Sequence, residues 1–346
     1  MAARELARGS GADLVLFPVP GPREDARMTT SRLDWLLFLL LGGIWGSSYL
    51  FIKIGVEAGL PPLTLVMFRL LIGFGLLATV VALAREPLPR SPRVYGHLAV
   101  LGAVSMAIPF TLITWAERSV DSTLASILAA AIPLIVLVFA AFVLRDERLT
   151  GPRAAGLAVG FAGVAILVGF DPGAFASGDV VAKVALLGAT VSYATGAVYA
   201  KRFVHGLRPM IPALLQVGFA FAMLAVLAFV FERPLEVIPT PETVLAVVWL
   251  GLLGSGVAYL LFFRILASWG ATRTSMVAYL LPVVGIALGA TVLHEPVDAS
   301  LLLGAALVIA GIALVNAPPG ARLGIPGRLA RRPAVRDAGV VSGRQH

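Results

Sequence analysis

Ionisable and hydrogen-bonding side chains are scarce in this sequence, so the few that interrupt its apolar runs draw attention first. Lys53, Arg69 and Glu117 form a candidate charge cluster. Trp45, Ser47, Ser48, Tyr193, Thr195, Ser255 and Tyr259 supply rings and hydroxyls near the middle of apolar runs, with Gln216 beside them. A charge inside hydrocarbon is costly and usually faces a bundle interior or a cavity. Arg69 could therefore pair with Glu117 or offer its charge to an anionic group on a solute. The plainer reading is that Arg69 is held by carbonyls, while Lys53 and Glu117 reach back to the interface. Aromatic rings with a few hydroxyls suit a pocket for a small amphipathic solute, although each such residue can equally serve helix packing.

Other chemistries find no residues here. There are no cysteines, which removes disulfides, thiol catalysis and cysteine-held metals. The histidines, His97, His205, His294 and His346, fall at loop, span-end or tail positions and form no ligand cluster. No phosphate-binding glycine loop is present. An intramembrane enzyme would need a carboxylate pair, a Ser–His pair or a metal motif within the membrane. We therefore expect no catalytic residues, no metal and no cofactor. No Asp or Glu lies at the centre of an apolar run. Proton-coupled carriers often use a buried carboxylate, so facilitated diffusion, or coupling by another route, is the expectation.

The elements that must position these residues follow from composition. Of 346 residues, 59% are hydrophobic and 13% charged, against roughly 25% charged in soluble domains. One core could not bury so much apolar surface, so lipid must be the solvent for most of it. Ten segments are apolar enough to span a bilayer: Trp35–Gly55, Pro62–Ala84, His97–Ala116, Thr123–Leu144, Ala154–Phe170, Val181–Ala200, Pro209–Phe231, Thr243–Leu266, Thr274–Val292 and Ala299–Val315. Lys53, Arg69 and Glu117 then fall in the outer half, with Arg69 roughly 10 Å deep.

The net charge of +8 sits in short loops and not on one soluble face, which points to membrane and away from nucleic acid. On one side lie Arg85, Arg90, Arg93, Arg145, Arg148, Arg153, Lys201, Arg202, Arg208, Arg264 and Arg273; on the other lie only Arg118 and Arg233. Both termini are thus expected in the cytoplasm. Residues 1–33 read as a disordered cytoplasmic tail and 318–346 as a basic cytoplasmic one. Met28, which leads directly into the first span, is a candidate start.

Residues 34–171 and 172–317 resemble each other. Trp45 with Lys53 is matched by Tyr193 with Lys201. Arg69 follows Pro62 as Gln216 follows Pro209. Pro133 and Pro282 sit within matching spans and are candidate hinges, or kinks that serve packing. Glu147, Gly156 and Gly163 recur as Glu295, Gly304 and Gly311 with the same spacings. Five spans per half is an odd number, so the second copy must insert upside down. Inverted repeats of this kind build carriers with a site near the midplane.

On Trp45-Gly46-Ser47 with Lys53, the Pro-then-Arg69 second span, the mid-span prolines and Glu147 followed by glycines, the chain resembles the EamA type of the drug/metabolite transporter superfamily. The likeness runs from Trp35 to Asn316, and it is the order of features that is specific, not any one motif. It implies an all-α integral membrane protein of the bacterial inner membrane. Ten helices would form two inverted five-helix repeats with cytoplasmic ends, exporting or passing amino acids, metabolites or drugs. Its partners would be a small solute and membrane lipid. With both halves on one chain a monomer suffices in principle, and a homodimer stays open. A channel or a non-transporting scaffold is the alternative.

Overall fold

The computed structural model describes residues 32–143, 150–169, 178–204 and 207–316. The two expected tails beyond Arg32 and Leu33, the candidate start Met28, and Glu147 lie outside these residues. No strand occurs among the described residues. The apolar runs leave backbone N–H and C=O groups no water to bond, and helix is the local solution. The helices are α1 Arg32–Glu57, α2 Pro62–Leu83, α3 Pro92–Ala116, α4 Ser122–Val143, α5 Gly151–Val168, α6 Asp179–Phe203, α7 Met210–Phe231, α8 Pro241–Leu266, α9 Ser275–Val292 and the shorter α10 Ala299–Val315. Among the described residues, the first nine are long and apolar enough to cross a membrane, while α10 has 17 residues. Proline at the first or second helical position starts α2, α3, α5 and α8, where its missing N–H costs nothing.

Helix neighbours come in matched sets. α1 packs on α9 as α6 packs on α4, α1 on α8 as α6 on α3, and α2 on α8 as α7 on α3. α2–α7, α4–α9 and α5–α10 pair corresponding helices of the two halves. The sequence repeat is therefore also a repeat of contacts. Between α5 and α10 the backbones nearly touch. A Cβ on Gly156 would lie 2.8 Å from the Gly311 carbonyl oxygen, and one on Gly163 would lie 2.7 Å from that of Gly304. These two contacts exchange with each other when the halves are exchanged.

Several spans are irregular in ways the apolar pattern does not announce. Residues Ala103–Ala107 in α3 and Trp249–Val257 in α8 wind as π-helix, at corresponding places in the two halves. Such wide turns often occur at functional sites. α4 breaks at Ala131, two residues before Pro133, where Leu134 N–H bonds back to the Ala131 carbonyl at 3.0 Å. α9 begins as a 3-10 segment, Ser275–Tyr279, and becomes α-helical at Leu280, two residues before Pro282. Both prolines thus mark departures from α-helix where the sequence suggests continuous spans.

The two ends of the bundle need separate names. The Glu57 end holds the turns after α1 and α3 and the segments after α7 and α9; the Arg85 end is opposite. At the Glu57 end, carboxylates from the second half close helix ends in the first. Glu232 accepts from Leu63 N–H at 3.1 Å and Thr64 N–H at 2.7 Å, at the start of α2. Glu295 accepts from Ser122 N–H at 2.8 Å, from Thr123 N–H at 2.9 Å and from the Thr123 hydroxyl, at the start of α4. The first N–H groups of a helix have no partner within it, and a carboxylate supplies both acceptors and charge. At the Arg85 end Arg208 meets Glu86 at 2.6 Å.

Four outcomes follow for thermal unfolding in detergent. Gly311→Ala places a methyl group 2.6 Å from the Gly156 oxygen and should cost about 1–3 kcal/mol. Gly75→Ala, with nothing within 4 Å, should leave the midpoint unchanged or slightly raised. Glu295→Ala strips three acceptor contacts from the start of α4 and should cost about 2–3 kcal/mol. Removing the exposed carboxylate of Glu57 should cost less than about 1 kcal/mol.

Candidate substrate pathway

The seam between α1 and α8 is built from small residues and indoles. Trp45 Nε1 donates to the Gly254 carbonyl at 3.3 Å, inside the π-helical stretch of α8. Trp249 Nε1 donates to Ser47 Oγ at 3.1 Å and its ring stacks on Phe51 at 4.4 Å. Ser47 and Ser48 both donate to the Ile44 carbonyl, at 2.9 and 3.1 Å. Their hydroxyls are buried and engaged within α1 and with α8. In this structure they serve helix packing and do not point free groups at a pocket.

Arg69 stands where α2 and α8 approach most closely. A Cβ on Gly73 would lie 2.7 Å from that of Ser255, and one on Gly251 would lie 2.9 Å from the Arg69 carbonyl oxygen. This closeness brings Ser255 Oγ to 3.0 Å from Arg69 Nε, which donates to it. The guanidinium carbon lies 4.1 Å from the centre of the Phe110 ring on α3, a cation–π contact. Arg69 is only 4% exposed, yet Nη1 and Nη2 have no hydrogen-bond partner among the described residues. Rings close around it. Tyr49, Tyr193 and Tyr259 lie within its electrostatic reach, Tyr193 lies edge-on to Phe110, and Tyr259 edge-on to Trp45. Trp45, Arg69, Tyr193, Ser255 and Tyr259, which the sequence singled out, therefore share one region. Four helices and α6 converge there.

Tyr49, Phe110 and Trp249 belong to the same region and were missed. Tyr49 follows Trp45 by one helical turn, a signal that could have found it. Phe110 and Trp249 lie in uniformly apolar runs and carry no mark in the sequence. Thr195 is a correction. It is exposed, bonds to its own helix at the Val191 carbonyl, and shares a face with exposed Val184 and Val191. The spacing of a helix turns it away from Tyr193. Gln216 is half-buried on α7, where its backbone oxygen would lie 2.8 Å from a Cβ on Gly102, and its side chain makes no hydrogen bond among the described residues.

The expected Arg69–Glu117 pair is also corrected. No carboxylate among the described residues lies within ion-pair distance of Arg69. Lys53 is engaged at helix ends. Its ammonium donates to the Glu117 and Val120 carbonyls at 2.9 and 3.0 Å, closing the end of α3, and pairs with Glu57 at 3.5 Å. Glu117 ends α3, as its position in the sequence suggested, but its side chain is fully buried. Two cavities, of about 350 and 300 Å³, open at the Glu57 end beside Glu57, Thr240 and Pro234; neither is lined by Arg69.

The comparisons with known proteins agree with this architecture. The EamA-like transporter family matches residues 33–169 and again 181–317, once per half. The uncharacterized inner membrane transporter YedA of Escherichia coli strain K12 is 28% identical over 275 residues, 79% of this chain and 87% of that one. The uncharacterized transporter YvbV of Bacillus subtilis is 28% identical over 281 residues, 81% of this chain and 90% of its own. A probable amino-acid metabolite efflux pump of Escherichia coli strain K12 is 26% identical over 294 residues, 82% of this chain and 94% of its own. A solved crystal structure superposes with a TM-score of 0.58 at 24% identity, over 82% of this chain and 96% of that one, a likeness of fold. With both halves matched and its apolar helices in place, the chain is a multi-pass bacterial inner-membrane transporter and belongs to the EamA-like transporter family.

Proposed function

We propose that this protein is a ten-helix carrier with both termini in the cytoplasm, and that it exports small solutes bearing a carboxylate, of the amino-acid and metabolite class, by alternating access. The observation that carries the solute class is Arg69. A buried guanidinium with two unbonded terminal nitrogens is a ready partner for a carboxylate, which it can grip with two parallel bonds. The surrounding Trp45, Tyr49, Phe110, Tyr193 and Tyr259 offer apolar walls with polar tips, suited to an amphipathic body. Ser255 orients the guanidinium from α8, so solute binding and the α2–α8 contact share a residue.

Four further facts support the remaining parts of the reading. The matched helix neighbours suit two halves that exchange conformations, which is how inverted repeats open a site to either side. The excess of Arg and Lys at the Arg85 end favours that end as cytoplasmic. The Escherichia coli relative named as a probable amino-acid metabolite efflux pump favours export of the same solute class. Pro133 and Pro282, beside the irregular turns of α4 and α9, sit where bending costs few hydrogen bonds, which suits the hinge reading.

Counterflow in liposomes tests this reading, with a panel of labelled amino acids and small carboxylated metabolites. At least one should accumulate transiently against its own outward gradient. Its counterpart lacking the carboxylate, the decarboxylated amine, should not. Arg69→Gln should lower the rate at least about tenfold, the loss expected for one charge-assisted contact, with normal expression and folding. Full counterflow by Arg69→Gln, or equal transport of the amine, would remove the carboxylate reading.

A further inference from the structure

Glu117 is the most unusual polar group in the molecule. It caps the end of α3, where helix gives way to the turn leading into α4. Its side chain is 0% exposed, and neither carboxylate oxygen has a hydrogen-bond partner. The charged and titratable groups around it come from three sides. α1 contributes Tyr49, Lys53 and Glu57, α2 contributes Arg69, and the segment after α9 contributes Glu295. Asp121, in the turn itself, lies within the electrostatic reach of Glu295, Lys53, Asp179 and Glu57.

None of these neighbours bonds to the carboxylate. Lys53 donates to the carbonyls of Glu117 and Val120 and pairs with Glu57. Arg69 bonds Ser255 and lies over Phe110. Glu295 is engaged by Ser122 and Thr123. Two cations lie within reach of its field but not in contact, and two carboxylates oppose them. An ionised carboxylate sealed in this way would carry an unrelieved desolvation cost, which a proton removes. The oxygens are enclosed, so no larger ligand fits beside them without opening the helices.

The repeat gives Glu117 no fixed counterpart: the spacings of its matched residues, 147 for Arg69 and Gln216, 148 for Lys53 and Lys201 and 149 for Pro133 and Pro282, lead to Arg264, Ile265 or Leu266. Position gives Glu117 a link to motion. Lys53 ties α1 to the turn that carries Glu117, so separating α1 from that turn would free the ammonium and admit water to the carboxyl together.

We infer that Glu117 is the carrier's proton site: it holds a proton while its oxygens are enclosed, as in this structure, and gives it to water when the helices around them part. The proton moves between the Glu117 oxygen and bulk water, and no other group changes charge. The link to solute movement rests on the carrier reading above; the proton itself does not.

Infrared spectroscopy of the purified protein in lipid tests the first part without any solute. The wild type near neutral pH should show the carbonyl stretch of an un-ionised carboxyl group, lost in Glu117→Gln, whose amide mimics the protonated form and should fold. No such band in the wild type, or an unchanged band in Glu117→Gln, overturns the assignment. Transport tests the second part, with the amino-acid panel as probe. A pH gradient should drive accumulation in the wild type and not in Glu117→Gln, while Glu117→Gln still performs counterflow. Equal gradient-driven accumulation by both proteins overturns the coupling. Absence of wild-type counterflow for the whole panel would count against the carboxylate-carrier reading alone, and the infrared band would still decide whether Glu117 holds a proton.

Discussion

A backbone in hydrocarbon must satisfy its own polar groups, and helix ends are where it fails to do so. At three helix ends of the first half the repair comes from a distance. Glu232 and Glu295, both in the second half, close the first turns of α2 and α4 in the first. Lys53 of α1 closes the last turn of α3. These contacts decide where the spans of the first half start and stop. They also decide how α1, α2, α3 and α4 meet, and so where Arg69 and Glu117 stand. The site depends on helix ends being satisfied across the chain and not within each helix.

The polar groups left over inside are few, and they are unevenly shared. Arg69 has Gln216 opposite it in the other half. Both charges of interest belong to the first half, although Ser255 and Tyr259 of the second half help to surround Arg69. A symmetric frame with an asymmetric lining can change which side it opens to while holding a solute in one orientation.

The sequence made the frame readable. Length and apolarity located the spans, the odd number of spans per repeat implied inversion, and the rarity of charge drew attention to Arg69. The faces of the helices were harder. A helix between water and a core betrays its inner side by a polar stripe, but here both lipid and interior are apolar. Thr195 was thus placed on the wrong face, while Phe110 and Trp249 passed unnoticed among similar residues. Ser47 and Ser48 looked like pocket hydroxyls because their bond to the Ile44 carbonyl depends on rotamers the sequence does not specify. Glu295 was seen only as the repeat of Glu147, because its partners Ser122 and Thr123 are far away in sequence. Glu117 looked peripheral because it follows a span, and its burial comes from what packs around the turn.

The four glycines between α5 and α10 bear on how such a duplicated chain can diverge. Gly156 meets Gly311 and Gly163 meets Gly304, each contact being the other's image. A side chain gained in either copy would strike the backbone of its twin, so here the two halves are not free to drift apart. At Arg69 and Gln216 the mirrored close approach involves the backbone alone, with a Cβ on Gly251 2.9 Å from the Arg69 oxygen and one on Gly102 2.8 Å from the Gln216 oxygen, so the side chains there stay free to differ between the halves. The line along which the halves touch as equals thus separates what duplication must keep from what it may specialise.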